Sequence, residues 1–336
     1  MSRFIVIIGF VILTNNVFSQ APREAIILPD SVTSVKADWV DVDNDGVLDI
    51  LLLMKTQNSK DYIRILKGDT LSTITSDTVK FKLIEKIFPI ISYAAYLLTD
   101  FDRDNDIDII ISGNVNGDDT TMIYQNNGNL KFQQTVASIP YFTSARSADF
   151  DENATPEIIV SGSDSNGPYT KILKQTNETS WVPVHDSLKM HCSSIQTFDA
   201  DGDGDVDLFL SGTLESGALS SGFYINEGEF YFKADSQTPL RGNTSTGDLD
   251  SDGFFEVILM GEDENGLWHT KKYQHTAASL SIQDLPIVVK NGIPFIADFD
   301  HDGVADIQYS GIDQSGQGIS QILYSDGTTV PLPAPV

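Results

Sequence analysis

Six short acidic stretches, each with carboxylates at alternate positions, are the part of this sequence whose residue types and spacing could do chemistry. The fourth, from Asp199 to Asp207, carries aspartate at every odd position. Alternate side chains on a tight loop converge on one point, and calcium takes six to eight oxygen ligands in a flexible shell. The pattern therefore predicts a Ca2+ site in each stretch.

The stretches, here called acidic loops 1 to 6, recur about every fifty residues, which indicates stacked repeats. Each is numbered from its first aspartate, and the predicted ligands are at positions 1, 3, 5, 7 and 9, with position 7 acting through its backbone carbonyl. These are Asp41, Asp43, Asp45, Val47 and Asp49 in loop 1; Asp100, Asp102, Asp104, Asp106 and Asp108 in loop 2; Asp149, Asp151, Asn153, Thr155 and Glu157 in loop 3; Asp199, Asp201, Asp203, Asp205 and Asp207 in loop 4; Asp248, Asp250, Asp252, Phe254 and Glu256 in loop 5; and Asp298, Asp300, Asp302, Val304 and Asp306 in loop 6.

Position 6 is where the chain must turn sharply, so a residue that tolerates a left-handed backbone is expected there. Five loops have glycine or asparagine at this position, and only loop 3 departs, with Ala154. Loop 3 also has Asn153 in place of a carboxylate and Pro156 after position 7. We therefore expect five or six calcium ions, with loop 3 as the doubtful site.

Two other readings of the acidic loops were weighed against calcium in a β-structure. An EF-hand begins in the same way but requires glutamate at position 12 and flanking helices, whereas position 12 here is apolar or Tyr309, within runs such as Ile109–Ile111 that are typical of strands. A metal-free acidic turn is the other alternative. Two carboxylates about 4 Å apart repel by roughly 4 kcal/mol near a protein surface, which argues against gathering several of them without a cation.

The loops and the strands around them resemble the FG-GAP/VCBS repeats of integrin α chains and bacterial surface proteins. The resemblance rests on segments such as Ala297–Asp306 and Ala148–Asp151, and it covers nearly all of residues 22–336. It implies an all-β fold, a β-propeller of six blades, with seven as the alternative. Each blade would have four antiparallel strands, with a calcium loop between its first and second strands.

The residues after each loop allow the rest of the blade to be predicted. An apolar run reaches a glycine thirteen residues after position 1 in loops 2 to 6, and a second glycine follows within five residues, so these segments are predicted to be hairpin turns. The tail after the third strand of the last repeat contains Pro331 and Pro333, which makes it a poor ladder strand. We therefore expect the strand Glu24–Leu28 to complete the last blade.

The N-terminus and the net charge indicate location and partners. Residues 1–19 have the three parts of a secretory signal peptide, and the apolar run Phe4–Thr14 is shorter than the roughly twenty residues that a bilayer span needs. The sequence thus predicts a secreted or cell-surface protein with no transmembrane segment after cleavage; an uncleaved anchor is the alternative. A net charge of −27 argues against nucleic acid and anionic membranes as partners.

No catalytic residues are predicted, because the five histidines are scattered and the sequence shows neither a metalloprotease spacing nor a nucleophile elbow. Side chains seven and eight residues before position 1 vary between repeats, and Tyr141, Phe142, Arg241 and Lys290 among them are predicted to bind a ligand. The chain is therefore expected to be a binding or adhesion module for an extracellular protein or glycan. The propeller of a carbohydrate-active enzyme, such as a polysaccharide lyase, and a structural spacer of a larger surface protein are the alternatives.

Overall fold

All regular elements in the described part of the chain are β-strands. The computed structural model describes residues 5–6, 26–27, 32–56, 60–68, 81–84, 87–136, 138–177, 180–184 and 188–332. Six four-stranded antiparallel sheets, each with its strands in chain order, are the blades of a β-propeller. The prediction of six blades with four strands each is confirmed within these residues, and the seven-bladed alternative is wrong.

The chain divides into two compact units, of which the first, residues 1–141 with 335–336, contains blades 1 and 2. A two-stranded pair, β1 (Ile5–Val6) with β2 (Ile26–Ile27), precedes the blades. Blade 1 consists of β3 (Val32–Val40), β4 (Asp49–Thr56), β5 (Tyr62–Gly68) and β6 (Phe81–Ile84), and blade 2 of β7 (Ser92–Thr99), β8 (Asp108–Val115), β9 (Asp118–Asn126) and β10 (Phe132–Val136).

The second unit, residues 142–334, contains blades 3 to 6. Their strands are β11 (Ser144–Ala148), β12 (Glu157–Asp164), β13 (Gly167–Asn177) and β14 (Ser180–Pro183); β15 (Met190–Phe198), β16 (Asp207–Leu214), β17 (Leu219–Asn226) and β18 (Phe232–Thr238); β19 (Leu240–Gly247), β20 (Glu256–Asp263), β21 (Trp268–Thr276) and β22 (Ser279–Leu285); and β23 (Lys290–Ala297), β24 (Asp306–Ile312), β25 (Gly318–Leu323) and β26 (Thr329–Pro331).

The second strand of a blade is apolar on both faces because each face packs into a different core. In blade 4, Leu208 and Leu210 lie in a cluster with residues of blade 3, whereas Phe209 lies in a cluster with Val257 and Leu259 of blade 5. Burying a side chain of this size stabilises the fold by about 1.5–3 kcal/mol. Sheet-on-sheet packing therefore explains why these strands do not alternate between apolar and polar residues.

The two regularly spaced glycines that follow loops 2 to 6 have different structural roles. The first lies inside the second strand, not in a turn: a Cβ on Gly212 would lie 2.2 Å from the carbonyl oxygen of His191, and one on Gly261 would lie 2.4 Å from that of Arg241. The second glycine, such as Gly217 with φ of 86°, makes the turn. The predicted hairpins are present, but the first glycine is required by the close approach of the first strand.

The last blade is completed by the C-terminal segment, so the prediction that Glu24–Leu28 would complete it is wrong. Thr329–Pro331 pairs with β25 at the edge of the sheet, where a proline without an N–H group is tolerated. Only Ile26 and Ile27 of the predicted N-terminal strand are described, and they pair with β1. Pro331 therefore does not prevent the tail from pairing with β25.

The predicted signal peptide, residues 1–19, lies outside the described residues apart from Ile5–Val6. Its cleavage therefore stays a prediction. In the described ranges, no helix has the length and apolar character needed to cross a bilayer.

Candidate functional site

Each acidic loop joins the first strand of its blade to the second, as predicted. Position 9 is the first residue of the second strand in all six blades. Its carboxylate is buried in every case, at 0–1% exposure, although the rest of the loop is largely accessible. These residues are Asp49, Asp108, Glu157, Asp207, Glu256 and Asp306.

The aspartate at position 1 fixes the loop by accepting backbone hydrogen bonds. In loop 4, one oxygen of Asp199 accepts the N–H of Gly204 at 3.0 Å, and the same bond from position 6 is present in all six loops at 2.7–3.1 Å. Position 6 has positive φ throughout, including Ala154 at 63°. The predicted left-handed turn is confirmed, and loop 3 adopts it despite having alanine there.

A second left-handed residue, at position 4, was not predicted from the sequence. Its φ lies between 54° and 83° in all six loops, although only loop 4 has glycine there. A non-glycine residue in this conformation costs roughly 1–2 kcal/mol. The residues are Asn44, Arg103, Glu152, Gly202, Ser251 and His301. The loops thus hold repeated backbone strain, and only their equivalence across six repeats could have revealed it in the sequence.

Positions 5 and 7 are also linked in the same way in every loop. The N–H of position 7 donates to the side-chain oxygen of position 5 at 2.8–2.9 Å, as from Asp205 to Asp203 in loop 4. In loop 3 this acceptor is the amide oxygen of Asn153, at 2.8 Å from the N–H of Thr155. Loop 3 therefore keeps the backbone geometry of the others while carrying one carboxylate fewer.

In blades 1, 2, 4 and 6, where position 9 is aspartate, its carboxylate also accepts a backbone N–H from the third strand or from a residue just after it. In loop 4, Asp207 accepts the N–H of Ala200 at 2.8 Å with one oxygen and that of Asn226 at 2.7 Å with the other. Burial raises the pKa of Asp207 to about 6 and that of Asp108 to about 7. A buried carboxylate with a raised pKa is one that a nearby cation would stabilise.

The carboxylates of a loop converge, and several of their oxygens accept no hydrogen bond. In loops 1 to 5, three carboxylates each bring an oxygen within 4.8 Å of the other two. Among the described residues, the buried oxygens without a hydrogen-bond partner include one each of Asp43, Asp151, Glu157 and Glu256, all at positions 3 or 9. Those of Glu157 and Glu256 each lie 3.8 Å from a lysine ammonium. Buried carboxylate oxygens that accept no hydrogen bond are costly, and hard oxygen ligands are what calcium prefers. The residues therefore fit the predicted ion.

Of the four predicted ligand-binding side chains, one lies in the interior. Phe142 is completely buried and therefore offers no surface to a ligand. Tyr141 is partly buried, and its pKa is raised first by that burial. Lys290 is exposed at the start of β23.

Arg241 lies in a polar row that crosses blades 3 to 5, where their first strands begin. Its guanidinium pairs with Glu262 and donates to the hydroxyl of Thr213 at 3.1 Å. Next to it, His191 Nε2 lies 2.7 Å from the hydroxyl of Thr143. Burial, and then the charge of Arg241, lower the pKa of His191. His191 and Arg241 thus lie next to each other in the second unit, at the end of the blades opposite the acidic loops.

Comparison with known proteins supports the repeat type. Residues 100–160, from loop 2 into β12, match the FG-GAP-like repeat. A sequence search among curated proteins gives no significant match.

The chain is similar to solved structures of a lectin from Aleuria aurantia. One, a mutant in complex with α-methyl-L-fucoside, has 11% identity and a TM-score of 0.49 over 92% of this chain and 98% of that chain. Another, described as six-bladed with a novel fucose recognition mode, has 10% identity and a TM-score of 0.48 over 92% and 99%. At this identity the likeness concerns the fold alone.

Proposed function

Starting from a six-bladed propeller of the FG-GAP/VCBS type, we propose that this chain is a secreted or cell-surface calcium-binding module that recognises an extracellular protein or glycan without catalysis. The observation that carries the calcium part is the set of converging carboxylates with buried, unpartnered oxygens at positions 3 and 9. Positions 1, 3, 5 and 9 would hold the ion through side chains, and position 7 through its carbonyl. The bound ion would neutralise part of the negative charge of these carboxylates.

Calcium binding is tested by isothermal titration calorimetry on the full chain after treatment with a chelator. Asp207→Asn is the informative variant, because the amide can accept only one of the two backbone hydrogen bonds that Asp207 now accepts. We expect it to lose one calcium site. Asp284→Asn, on β22 at an exposed aspartate paired with Lys271, is the matched charge control and should bind as the parent does. The calcium assignment fails if the unaltered chain binds no calcium at about 1 mM, the range of extracellular calcium modules.

Recognition of a ligand is supported by the placement of Tyr141, Arg241 and Lys290 away from the acidic loops, on segments that calcium does not have to fix. Arginine and tyrosine are enriched among residues that dominate binding interfaces. A ligand bound beside Tyr141 in the first unit, or beside Arg241 and Lys290 in the second, would leave the acidic loops of that unit free to bind calcium.

The ligand is sought with glycan and extracellular-protein arrays probed in the presence of calcium. The triple alanine variant of Tyr141, Arg241 and Lys290 should lose binding to whatever the array identifies. The control is the double alanine variant of Tyr231 and Lys233, both exposed, near the turn before β18. Binding retained by the triple variant and lost by the control would move the site to the acidic-loop end.

A further inference from the structure

The third strand presents a lysine to the acidic loop in blades 1 and 3. Leu66 pairs with Ile50, so the next residue along, Lys67, lies opposite Asp49 at position 9. In the same way Leu173 pairs with Ile158, which places Lys174 opposite Glu157. The two lysines therefore occupy the same register position in two different repeats.

Both ammonium groups lie among the predicted calcium ligands. Lys67 Nζ contacts Asp43 at position 3 and lies 2.8 Å from Oδ2 of Asp45 at position 5. Lys174 Nζ lies 2.5 Å from Oδ2 of Asp151, also position 3, and 3.8 Å from Oε1 of Glu157. An ammonium is a compact charge with three donors. It is therefore suited to the place in the loop where a cation is expected.

The acidic loops still contain oxygens that the lysines leave without a hydrogen bond. Asp43 Oδ1, Asp151 Oδ1 and Glu157 Oε1 are buried and accept none, and the side chain of Glu157 is completely buried. A single ammonium group thus interacts with only some of the buried carboxylate oxygens of each loop. An ion with six to eight oxygen ligands would meet more of it, but only after the lysine had moved away.

The same register position holds no lysine in the other four blades. The pairing of the second and third strands places four other residues opposite position 9: Gln125 in blade 2, Ile225 in blade 4, Gln274 in blade 5 and Tyr324 in blade 6. Gln125 donates its amide to Asp102 at position 3, which is the contact that lysine makes in loops 1 and 3. In blade 5 a lysine, Lys272, approaches from two residues away, with Nζ 3.6 Å from Asp250 at position 3 and 3.8 Å from Glu256 at position 9. It therefore makes a longer contact with position 3 than Lys174 makes, and loop 5 is not ranked with loops 1 and 3.

Resting on the calcium function proposed above, we propose that Lys67 and Lys174 are internal cations that occupy loops 1 and 3 and compete with calcium there. Loops 1 and 3 would then be weaker calcium sites than loops 2 and 4, and would keep their shape when calcium is scarce. To bind the ion, each loop must break its lysine contacts and hold an ammonium near a divalent cation. Like charges at such distances repel strongly, so removing the lysine should raise the calcium affinity of its loop about tenfold or more.

The test is calcium titration of the full chain by calorimetry, with bound ions counted by mass spectrometry. Lys67→Gln and Lys174→Gln should each convert one weak site into a tight one. Lys233→Gln makes the same change of charge at an exposed lysine paired with Glu227 and should leave the isotherm unchanged. The reciprocal variant Gln125→Lys should weaken one tight site, in loop 2. Melting in chelator checks folding: the two lysine variants should lose stability there and regain it with calcium.

The outcomes separate this inference from the proposed function. If the unaltered chain binds calcium but Lys67→Gln and Lys174→Gln bind it as Lys233→Gln does, the lysines do not compete and the inference is overturned. If neither the unaltered chain nor any variant binds calcium, both proposals fail. Calcium binding that appears only in the lysine variants would support competition in loops 1 and 3 and would overturn the calcium assignment of the other four loops.

Discussion

If the acidic loops bind calcium as proposed, its removal is the perturbation with the largest expected effect on this protein. Extracellular calcium modules bind with dissociation constants of about 0.1–1 mM, so each site at about 1 mM calcium contributes roughly 0.4–1.4 kcal/mol to the free energy of unfolding. Six equivalent loops would together contribute about 2–8 kcal/mol. That is comparable to the whole free energy of unfolding of many domains, about 5–15 kcal/mol.

The assay is differential scanning calorimetry with calcium and with an excess of chelator. A loss of this size should lower the melting temperature by on the order of 5–20 °C. The second compact unit carries four acidic loops and the first carries two. If they melt separately, the transition of the second should therefore shift more.

Magnesium at the same concentration is the control, because it demands near-ideal octahedral geometry and dehydrates reluctantly. Rescue by magnesium equal to that by calcium would mean that the loops need only diffuse screening of charge. A melting temperature that does not change in chelator would refute the argument that converging carboxylates require an ion.

Three further predictions follow from individual residues. Asp203→Ala should reduce calcium affinity more than Asn153→Ala, because loop 3 already lacks that carboxylate; equal losses in calorimetric titration would contradict this. In chelator, the free energy of unfolding should fall as the pH rises from about 4 to 7. Burial raises the pKa of Asp108 to about 7 and that of Asp207 to about 6, so the folded state binds more protons than the unfolded state in this range. Urea unfolding at several pH values measures this, and a free energy of unfolding that rises with pH would refute it. Asn226→Ala should cost about 1–3 kcal/mol in the same assay, since its buried amide donates to the carbonyl of Phe150 at 3.0 Å.

The loops and the strand order could be predicted from the sequence because they repeat. A single stretch such as Asp248–Glu256 is compatible with an acidic turn, but six copies in one register are not explained by chance. The repeat also explains why Ala154 did not prevent a left-handed turn: Asp149 accepts its N–H at 2.7 Å, so the rest of the loop imposes the geometry.

The features of the site that could not be predicted from the sequence depend on contacts between strands. Phe142 and Tyr141 are adjacent aromatic residues, yet Phe142 is completely buried and Tyr141 only partly buried, a difference that no local sequence pattern specifies. The position of Lys67 beside loop 1 depends on the pairing of β4 with β5, which no local pattern specifies. Repetition is therefore a reliable guide to what every blade shares and a poor guide to how one blade differs.

The acidic loops also connect neighbouring blades, which extends the consequences of losing an ion. Asn126 donates its side-chain amide to the carbonyl of Val42 in loop 1 at 2.6 Å, and Asn226 makes the same bond to Phe150 in loop 3. The backbone N–H groups of Val42 and Phe150 donate in turn to the position 9 carboxylates of their own loops. A loop that loosens without calcium would thus weaken a contact with another blade, and loop 1 would also release its own third strand, because Asp49 accepts the N–H of Gly68 at 2.7 Å. Calcium dependence should consequently be cooperative along the repeats that these asparagines join.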